Sequence, residues 1–391
     1  MIFALLCSSA VQAATRGKIV FYNPIAGAEG EPFNRTLIPH FADENRDLEA
    51  EERPLTDSNW DQALECARQP GHAAFTLTTA IKLPALADQA AIVPMDDLAP
   101  AALWQDYYPK VMQTVTYKGR VWEMPLEANP YALFCNLEHF NAAGVRIPTT
   151  WEETLEAARA LTRDTNGDGK PDLYGYTQCT YQFPLQLWSY GVDLVTLDGA
   201  VRFADPPAAE ILCWYAKLRS YSPPHVSFER DDVAMKLSTV DDMPHYRHLD
   251  FTVVPLPSGT RHINSLGGSN SAMGMVLLAG SDRELASRFL TFWSREDVYL
   301  RSCVPVLLVA LRKSVRESAP YQRYLRRNPE VQVFDAELDY ALPRPCMREY
   351  EPIHEIVARF TGWASSTRPT VEQCQAKLEE AKKEAEALFH K

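Results

Sequence analysis

The densest set of oxygen-bearing side chains lies in the loop 164–172, which reads Asp-Thr-Asn-Gly-Asp-Gly-Lys-Pro-Asp. Its acidic and amide residues stand at positions 1, 3, 5 and 9, the spacing with which an EF-hand loop presents oxygens to Ca²⁺. The glutamate that such a loop carries at position 12 is replaced by Gly175. Two interpretations remain, a weak Ca²⁺ site and an Asx- and glycine-rich turn. We favour a structural turn outside any ligand cleft and predict no metal site. The four residues are Asp164, Asn166, Asp168 and Asp172.

Other residues with catalytic chemistry do not complete a motif. His354 and Glu355 begin a pattern that resembles the zinc-protease helix, but Ala358 stands where the second histidine is needed. The segment 267–271 resembles a nucleophile elbow, but Ser271 replaces its closing glycine. No Walker loop and no dinucleotide-binding glycine pattern is present in the sequence. We therefore predict no catalytic residues, no cofactor and a protein that is not an enzyme.

Composition limits the partners of this chain. With 39 Lys and Arg against 51 Asp and Glu, its formal net charge is −12, which argues against nucleic acid or an anionic membrane as the main partner. The 46% apolar content is that of a folded globular protein, and 391 residues predict two or three domains. The eight cysteines form no zinc or redox motif, and the sequence does not fix any disulfide pairing.

The first 13 residues resemble the end of a secretory signal peptide. An apolar run at 2–6 is followed by small residues at the cleavage positions around Ala13, although a basic region before the run is missing. We predict cleavage after Ala13. A buried N-terminal strand is one alternative. A lipid anchor at Cys7 is another, but it is disfavoured by the bulky Leu6.

The elements that must position a site alternate between strand and helix. Apolar runs at 18–22, 73–77 and 90–93 predict buried strands, with helical periodicity between them. This alternation predicts an α/β fold with a parallel sheet and crossover helices. Thr150 and Glu153 have the spacing of a capping box and predict the start of a helix there.

Two proline-containing segments divide the chain into three blocks. The first, 121–136, has Pro125 and Pro130 between two extended runs, and the second, 255–268, is rich in proline and glycine. Because proline disfavours helix at the preceding residue, both segments are interpreted as extended crossings. A two-lobed protein whose chain crosses between the lobes more than once explains this pattern.

Several segments, taken in order, resemble the family 1 extracellular solute-binding proteins of ABC importers, the maltose-binding-like receptors for carbohydrate uptake. The longest is 119–136, Gly-Arg-Val-Trp-Glu-Met-Pro-Leu-Glu-Ala-Asn-Pro-Tyr-Ala-Leu-Phe-Cys-Asn. Their order and spacing extend over nearly the whole mature chain. The other segments are 140–144, 148–151, 161–175, 233–235, 251–257, 267–268, 304–305 and 311–314.

The resemblance implies a two-lobed, type II periplasmic-binding-protein-like α/β fold whose ligand cleft lies between lobes joined by a hinge. It implies a monomeric periplasmic receptor, exported by its signal peptide, that captures a sugar or oligosaccharide and delivers it to the membrane permease. We expect residues 14–127 and 271–318 to form lobe 1, and residues 128–270 and 319–391 to form lobe 2. The chain departs from the family in two places. The stretch 75–79 is threonine-rich where phosphate-binding relatives carry a carboxylate, and Cys135 replaces a tyrosine.

Cleft residues are expected at the carboxyl ends of strands and on the connectors. Aromatic rings would cover the apolar faces of a sugar, and planar polar groups would pair with its hydroxyls. For Trp60 and Trp188 the alternative is packing in a lobe core. The candidate ligand-binding residues are Tyr22, Asn23, Asn59, Trp60, Asp61, Thr78, Glu127, Asn129, Tyr181, Trp188, Gly267, Gly268, Asn270, Arg348 and Tyr350.

A second hypothesis is an enzyme that acts on a small polyol or sugar in the same two-lobed cleft. An acid and a base with shifted pKa values in the cleft would favour it. The sequence shows no such pair.

Overall fold

The computed structural model describes residues 17–25, 37–177, 179, 181–223, 225–267, 272–304 and 307–390, so the predicted signal peptide lies outside the described residues. The strands are β1 (Gly17–Asn23), β2 (Leu48–Pro54), β3 (His72–Thr79), β4 (Ile92–Val93), β5 (Thr116–Tyr117), β6 (Arg120–Val121), β7 (Met124–Glu127), β8 (Ala132–Asn136), β9 (Met235–Ser238), β10 (Phe251–Val254), β11 (Asn264–Ser265), β12 (Met273–Leu278) and β13 (Ala341–Leu342). The α-helices are α1 (Ile38–Glu44), α2 (Trp60–Ala67), α3 (Leu83–Asp88), α4 (Ala101–Asp106), α5 (Pro109–Val115), α6 (Leu137–Ala143), α7 (Trp151–Leu161), α8 (Gln182–Ser189), α9 (Ala208–Leu218), α10 (Arg283–Trp293), α11 (Glu296–Cys303), α12 (Lys313–Glu317), α13 (Ala319–Arg327), α14 (Pro329–Glu337), α15 (Tyr350–Thr367) and α16 (Val371–Glu386).

The larger sheet has the strand order β2-β1-β3-β12-β4, and β7 also pairs with β12. β1 is parallel to β2 and β3, which confirms the predicted parallel arrangement in this part of the sheet. β12 enters from much later in the sequence and runs antiparallel to β3, β4 and β7. The chain therefore leaves this sheet after β7 and returns to it at β12.

The second sheet has the order β10-β8-β9, and both pairings are antiparallel. Because strand side chains alternate between faces, Phe134 points into the core shared with α14, where its ring lies 5.9 Å from that of Phe334. The neighbouring Leu133 and Cys135 point into a separate core with Trp151 of α7. The second sheet is thus covered on both faces.

The helix predicted from Thr150 is present, but its cap differs in one bond. Thr150 Oγ1 accepts a hydrogen bond from the Glu153 backbone N–H at 3.1 Å, as a capping box requires. The Glu153 carboxylate reaches past Thr150 and accepts from the backbone N–H and the hydroxyl of Thr149, both at 2.8 Å. In a capping box the Glu153 carboxylate would accept from the backbone N–H of Thr150, and here the two bonds to Thr149 replace that bond.

The loop 164–172 forms a turn stabilised by its own side chains. Asp164 accepts from the N–H groups of Gly167 and Gly169 at 2.6 and 2.7 Å. Asp172 accepts from the N–H and the hydroxyl of Thr165 at 2.7 and 2.8 Å. The carboxylates therefore serve as acceptors for backbone N–H groups, as the turn interpretation expects.

None of the helices in the described ranges has both the length and the apolar character needed to cross a bilayer.

Candidate ligand cleft

One wall of the candidate cleft is formed by the carboxyl ends of β1 and β3. Tyr22 is buried, its hydroxyl accepts a hydrogen bond from Arg53 at 3.4 Å, and burial raises its pKa. The amide of Asn23 donates to Glu52 at 2.8 Å and accepts from the backbone of Ile25, so it also holds the following turn. Thr78 is half-buried at the end of β3. Parallel strands thus bring these three predicted residues to the same edge of the sheet.

The start of α2 contributes three predicted residues with different environments. The Asn59 amide donates to the Pro54 carbonyl at 2.9 Å and accepts from the Thr56 N–H at 2.7 Å, so it stabilises the turn before the helix. Trp60 is half-buried against the core that contains Tyr22, and Asp61 is exposed. All three residues are at least partly accessible to solvent, and the Asn59 amide is already engaged in the turn.

The first crossing places Glu127 beside Asn129. The fully buried Asn129 amide donates to the Glu127 carboxylate at 3.1 Å and accepts from the backbone N–H of Val309 at 3.5 Å. Asn129 thus joins the crossing to the segment that follows α11. Glu127 remains half-buried at the end of β7.

The second candidate wall is a buried cluster of aromatic residues around Tyr181. The hydroxyls of Tyr181 and Tyr350 are hydrogen-bonded to each other. The His354 ring stacks on Tyr181, with centroids 5.5 Å apart and an interplanar angle of 25°, and Trp188 contacts it edge-on at 5.7 Å. We call Tyr181, Trp188, Tyr350 and His354 the aromatic cluster.

Arg344 connects the aromatic cluster to the second connector. Its guanidinium carbon lies 3.6 Å from the centre of the Tyr181 ring, a cation–π distance. The same side chain donates to Ser265 Oγ at 3.3 Å and to the carbonyl of Gly267 at 3.1 Å. Gly267 has a φ of +86°, a conformation that glycine adopts without strain. A buried cation thereby fixes the connector against the rings.

Burial sets the protonation states in the aromatic cluster. Burial, with a smaller contribution from the nearby positive charge of Arg344, lowers the pKa of His354 to about 4. The imidazole is therefore neutral at pH 7. Burial raises the pKa of both Tyr181 and Tyr350, so their hydroxyls are neutral donors and acceptors.

Glu123 is a fully buried carboxyl group next to the first wall. Neither of its oxygens has a hydrogen-bond partner among the described residues, and burial raises its pKa well above its ordinary value. It lies against Gly274 of β12, where a Cβ atom would come within 2.5 Å of Glu123 Oε1. Burial, with a smaller contribution from Glu123, raises the pKa of the Cys346 thiol to about 12.

Two packing contacts connect the sheet wall with the aromatic cluster. Ile81, just beyond β3, packs against the core that contains Tyr350. Cys346, two residues after Arg344, packs against the core that contains Tyr22. The end of β3 and the segment from Arg344 to Tyr350 therefore lie close together.

The predicted site residues fall into four groups. Tyr181, Trp188 and Tyr350 come together in the aromatic cluster, and Gly267 joins them through Arg344. Gly268 and Asn270 lie outside the described residues. Arg348 is exposed, and its side chain is 3.9 Å from that of the adjacent Glu349. The remaining predicted residues lie on the sheet wall and the first crossing, and ligand binding by any of them stays a prediction.

Three residues of this region were not predicted. His354 lies one helical turn after Tyr350, and this spacing could have indicated it. Glu123 is a lone charged residue immediately before a buried strand, which was also visible in the sequence. Arg344 stands between two prolines and carried no periodic signal.

Comparison with known proteins shows which family the chain resembles. The family model of the bacterial extracellular solute-binding protein matches residues 75–299, more than half of the chain. A candidate binding protein of Brucella abortus (strain 2308) is 27% identical over 122 residues. This stretch covers 29% of the chain and 29% of that relative, so the chain matches less than a third of the relative's length.

Two solved structures share the fold. The cyclic α-maltosyl-1,6-maltose binding protein from Arthrobacter globiformis superposes with a TM-score of 0.79 at 18% identity, covering 94% of this chain and 98% of that one. UgpB from Mycobacterium tuberculosis, in complex with glycerophosphocholine, gives a TM-score of 0.77 at 15% identity, covering 95% and 99%. The family match and the shared two-lobed α/β fold confirm the resemblance, and the chain belongs to the bacterial extracellular solute-binding proteins.

Proposed function

We propose that this protein is the substrate-binding receptor of an ABC transporter and that it takes a sugar or oligosaccharide into the cleft between its two sheets. The observation that carries the proposal is the aromatic cluster with Arg344, which the packing of Ile81 and Cys346 links to a wall of hydroxyl, amide and carboxyl side chains. Aromatic surfaces and planar polar groups are the two kinds of contact that a sugar needs.

The polar side chains favour a sugar over a phosphodiester. The sheet wall and first crossing present Asp61 and Glu127, and the threonine-rich end of β3 supplies hydroxyls. Sugar hydroxyls can donate hydrogen bonds to these carboxylates. The stretch 75–79 lacks the carboxylate that phosphate-binding relatives carry there, so we expect this cleft to prefer a sugar to the glycerophosphocholine bound by UgpB.

The proposal includes the division into lobes and the route of delivery. Lobe 1 would contain 14–127 and 271–318, which the return of β12 to the larger sheet supports. Lobe 2 would contain 128–270 and 319–391. We propose that the exported, monomeric, periplasmic protein presents its closed form to the permease and binds no nucleic acid. The name of the family, which calls its members extracellular, supports export.

A thermal-shift panel tests the ligand class. The purified protein would be heated with monosaccharides, with disaccharides and oligosaccharides of differing linkage, and with glycerophosphocholine. A ligand at about 100 times its Kd adds about 2.7 kcal/mol to the free energy of unfolding, so a cognate sugar should raise the Tm clearly. A shift with glycerophosphocholine and with none of the sugars would overturn the carbohydrate assignment.

One observation favours the enzyme hypothesis as a second candidate. Glu123 has a raised pKa and His354 a lowered one, so this region contains a protonated acid and a neutral base. Both shifts are dominated by burial. Incubating the protein with any sugar that raises its Tm, followed by mass spectrometry, separates the two functions: a receptor returns the sugar unchanged, and an enzyme forms product that Glu123→Gln abolishes.

A further inference from the structure

Two buried cysteines from distant parts of the sequence face each other between α9 and α16. Cys213 lies inside α9, and Cys374 lies in the first turn of α16. Their sulfur atoms are 3.1 Å apart, and Cys213 Sγ is also 3.2 Å from the carbonyl oxygen of Pro369. The two helices pack together in the same hydrophobic core, so their spacing is held by the surrounding side chains.

We propose that Cys213 and Cys374 form a disulfide bond in the exported protein and that this bond attaches the last long helix to α9. In the reaction two S–H bonds break and one S–S bond forms. The two electrons pass to a disulfide of the oxidising compartment, either a protein thiol oxidant or oxidised glutathione. That disulfide is reduced to two thiols by the electrons and the two protons released.

The geometry requires little movement for this step. A disulfide has an S–S bond of about 2.0 Å, so the sulfur atoms must approach by about 1 Å, which side-chain rotation can supply. Cys213 also lines a cavity of about 470 Å³ next to this contact. Disulfides persist in oxidising compartments, so the inference depends on export and is independent of the ligand in the cleft.

The other two buried cysteines among the described residues, Cys66 and Cys135, lie in other parts of the fold. Cys66 packs in the core beside the larger sheet, and Cys135 lies on β8 in the second sheet. A bond between Cys213 and Cys374 would close a loop across 161 positions of sequence. Closing so long a loop restricts the unfolded chain strongly, which stabilises the folded protein.

Peptide mass spectrometry tests the bond directly. The full chain would be exported to the periplasm of an expression host, purified without reductant, unfolded with N-ethylmaleimide present and digested. We expect the peptides containing Cys213 and Cys374 to appear as one cross-linked species, lighter than their sum by two hydrogen atoms, which separates after reduction. Recovery of both cysteines as alkylated thiols, or in bonds to other cysteines, would overturn the proposal.

Stability provides the second measurement. Reductant should lower the Tm of the wild-type protein by about 3–10 °C and should leave the Tm of Cys213→Ala and Cys374→Ala unchanged. Cys66→Ala, which also removes a buried thiol, is the matched control and should keep the response to reductant. A wild-type Tm that reductant does not change, or a response that persists in Cys213→Ala, would contradict the bond.

Discussion

Glu123 is the residue whose burial is hardest to reconcile with packing alone. Its carboxyl group is removed from water, has no hydrogen-bond partner among the described residues, and contacts β12 at Gly274. Burial of an unpaired carboxylate is so unfavourable that the group keeps its proton instead. The side chain is therefore a neutral acid, able to donate one hydrogen bond and accept others.

This protonation predicts a dependence of stability on pH. Because the pKa of Glu123 is raised above its ordinary 4.5 in the folded protein, its contribution to stability is complete below about pH 4.5 and falls as the pH rises towards the folded pKa. Gln cannot ionise. The advantage of Glu123→Gln over wild type in free energy of unfolding should therefore grow with pH, by at most about 1.4 kcal/mol per unit.

Urea unfolding at pH 5 and pH 8 measures this difference. Glu156→Gln, an exposed position on α7, is the matched control and should show the same difference from wild type at both pH values. A constant difference between Glu123→Gln and wild type would show that Glu123 is ionised throughout or is reached by water.

The two candidate tryptophans should behave differently when removed. Trp188 is 4% exposed and packs edge-on against Tyr181, so Trp188→Ala should lower the free energy of unfolding by about 3–5 kcal/mol. Trp60 is half-buried, so Trp60→Ala should cost less stability and weaken sugar binding by about 1–3 kcal/mol, roughly tenfold or more in Kd. Calorimetric titration and urea unfolding of both variants check this. Normal binding by Trp60→Ala would remove Trp60 from the site.

Among individual residues, the sequence indicated the aromatic members of the candidate site better than the charged ones. Tyr181, Trp188 and Tyr350 could be selected because aromatic residues near crossings serve a sugar site, and they do come together. Arg344 could not, because its role depends on a ring and two oxygens that are distant in sequence.

Helix α7 shows how far a local motif specifies an element. The side chain of Thr150 caps the helix, so Thr150→Ala should lower the free energy of unfolding by about 1 kcal/mol. Glu156→Ala, on the exposed face of the same helix, should change it by less than about 0.5 kcal/mol. Thermal or urea unfolding of the two variants provides the comparison, and equal effects would show that the cap contributes nothing.

Other elements depend on partners that the sequence does not reveal. β2 reads Leu-Glu-Ala-Glu-Glu-Arg-Pro and was not predicted, because its charges suit an edge strand paired on one side only. The apolar run that becomes β12 was visible, but its antiparallel place beside β3 is set by tertiary contacts. Local patterns thus predicted where many elements lie, and pairing partners decided how they join.

The whole molecule has two main sheets connected by extended crossings, and we expect the two halves to rotate as rigid bodies when a sugar binds. Small-angle scattering with and without a cognate sugar should show a smaller radius of gyration when the sugar is bound. A non-binding sugar from the thermal-shift panel is the control and should leave the radius unchanged. An unchanged radius at saturation with the cognate sugar would contradict closure.

Hydrogen exchange mapped by mass spectrometry tests most directly whether the ligand lies between the two walls. With a saturating sugar from the panel, we predict slower amide exchange on both sides of the cleft: at the end of β3 and in 123–129 on one side, and in 181–188 and 344–354 on the other. Exchange around the separate cavity lined by Leu155, Arg159 and Tyr221 should not change. Slower exchange on one side only, or at that cavity instead, would contradict a ligand site between the sheets.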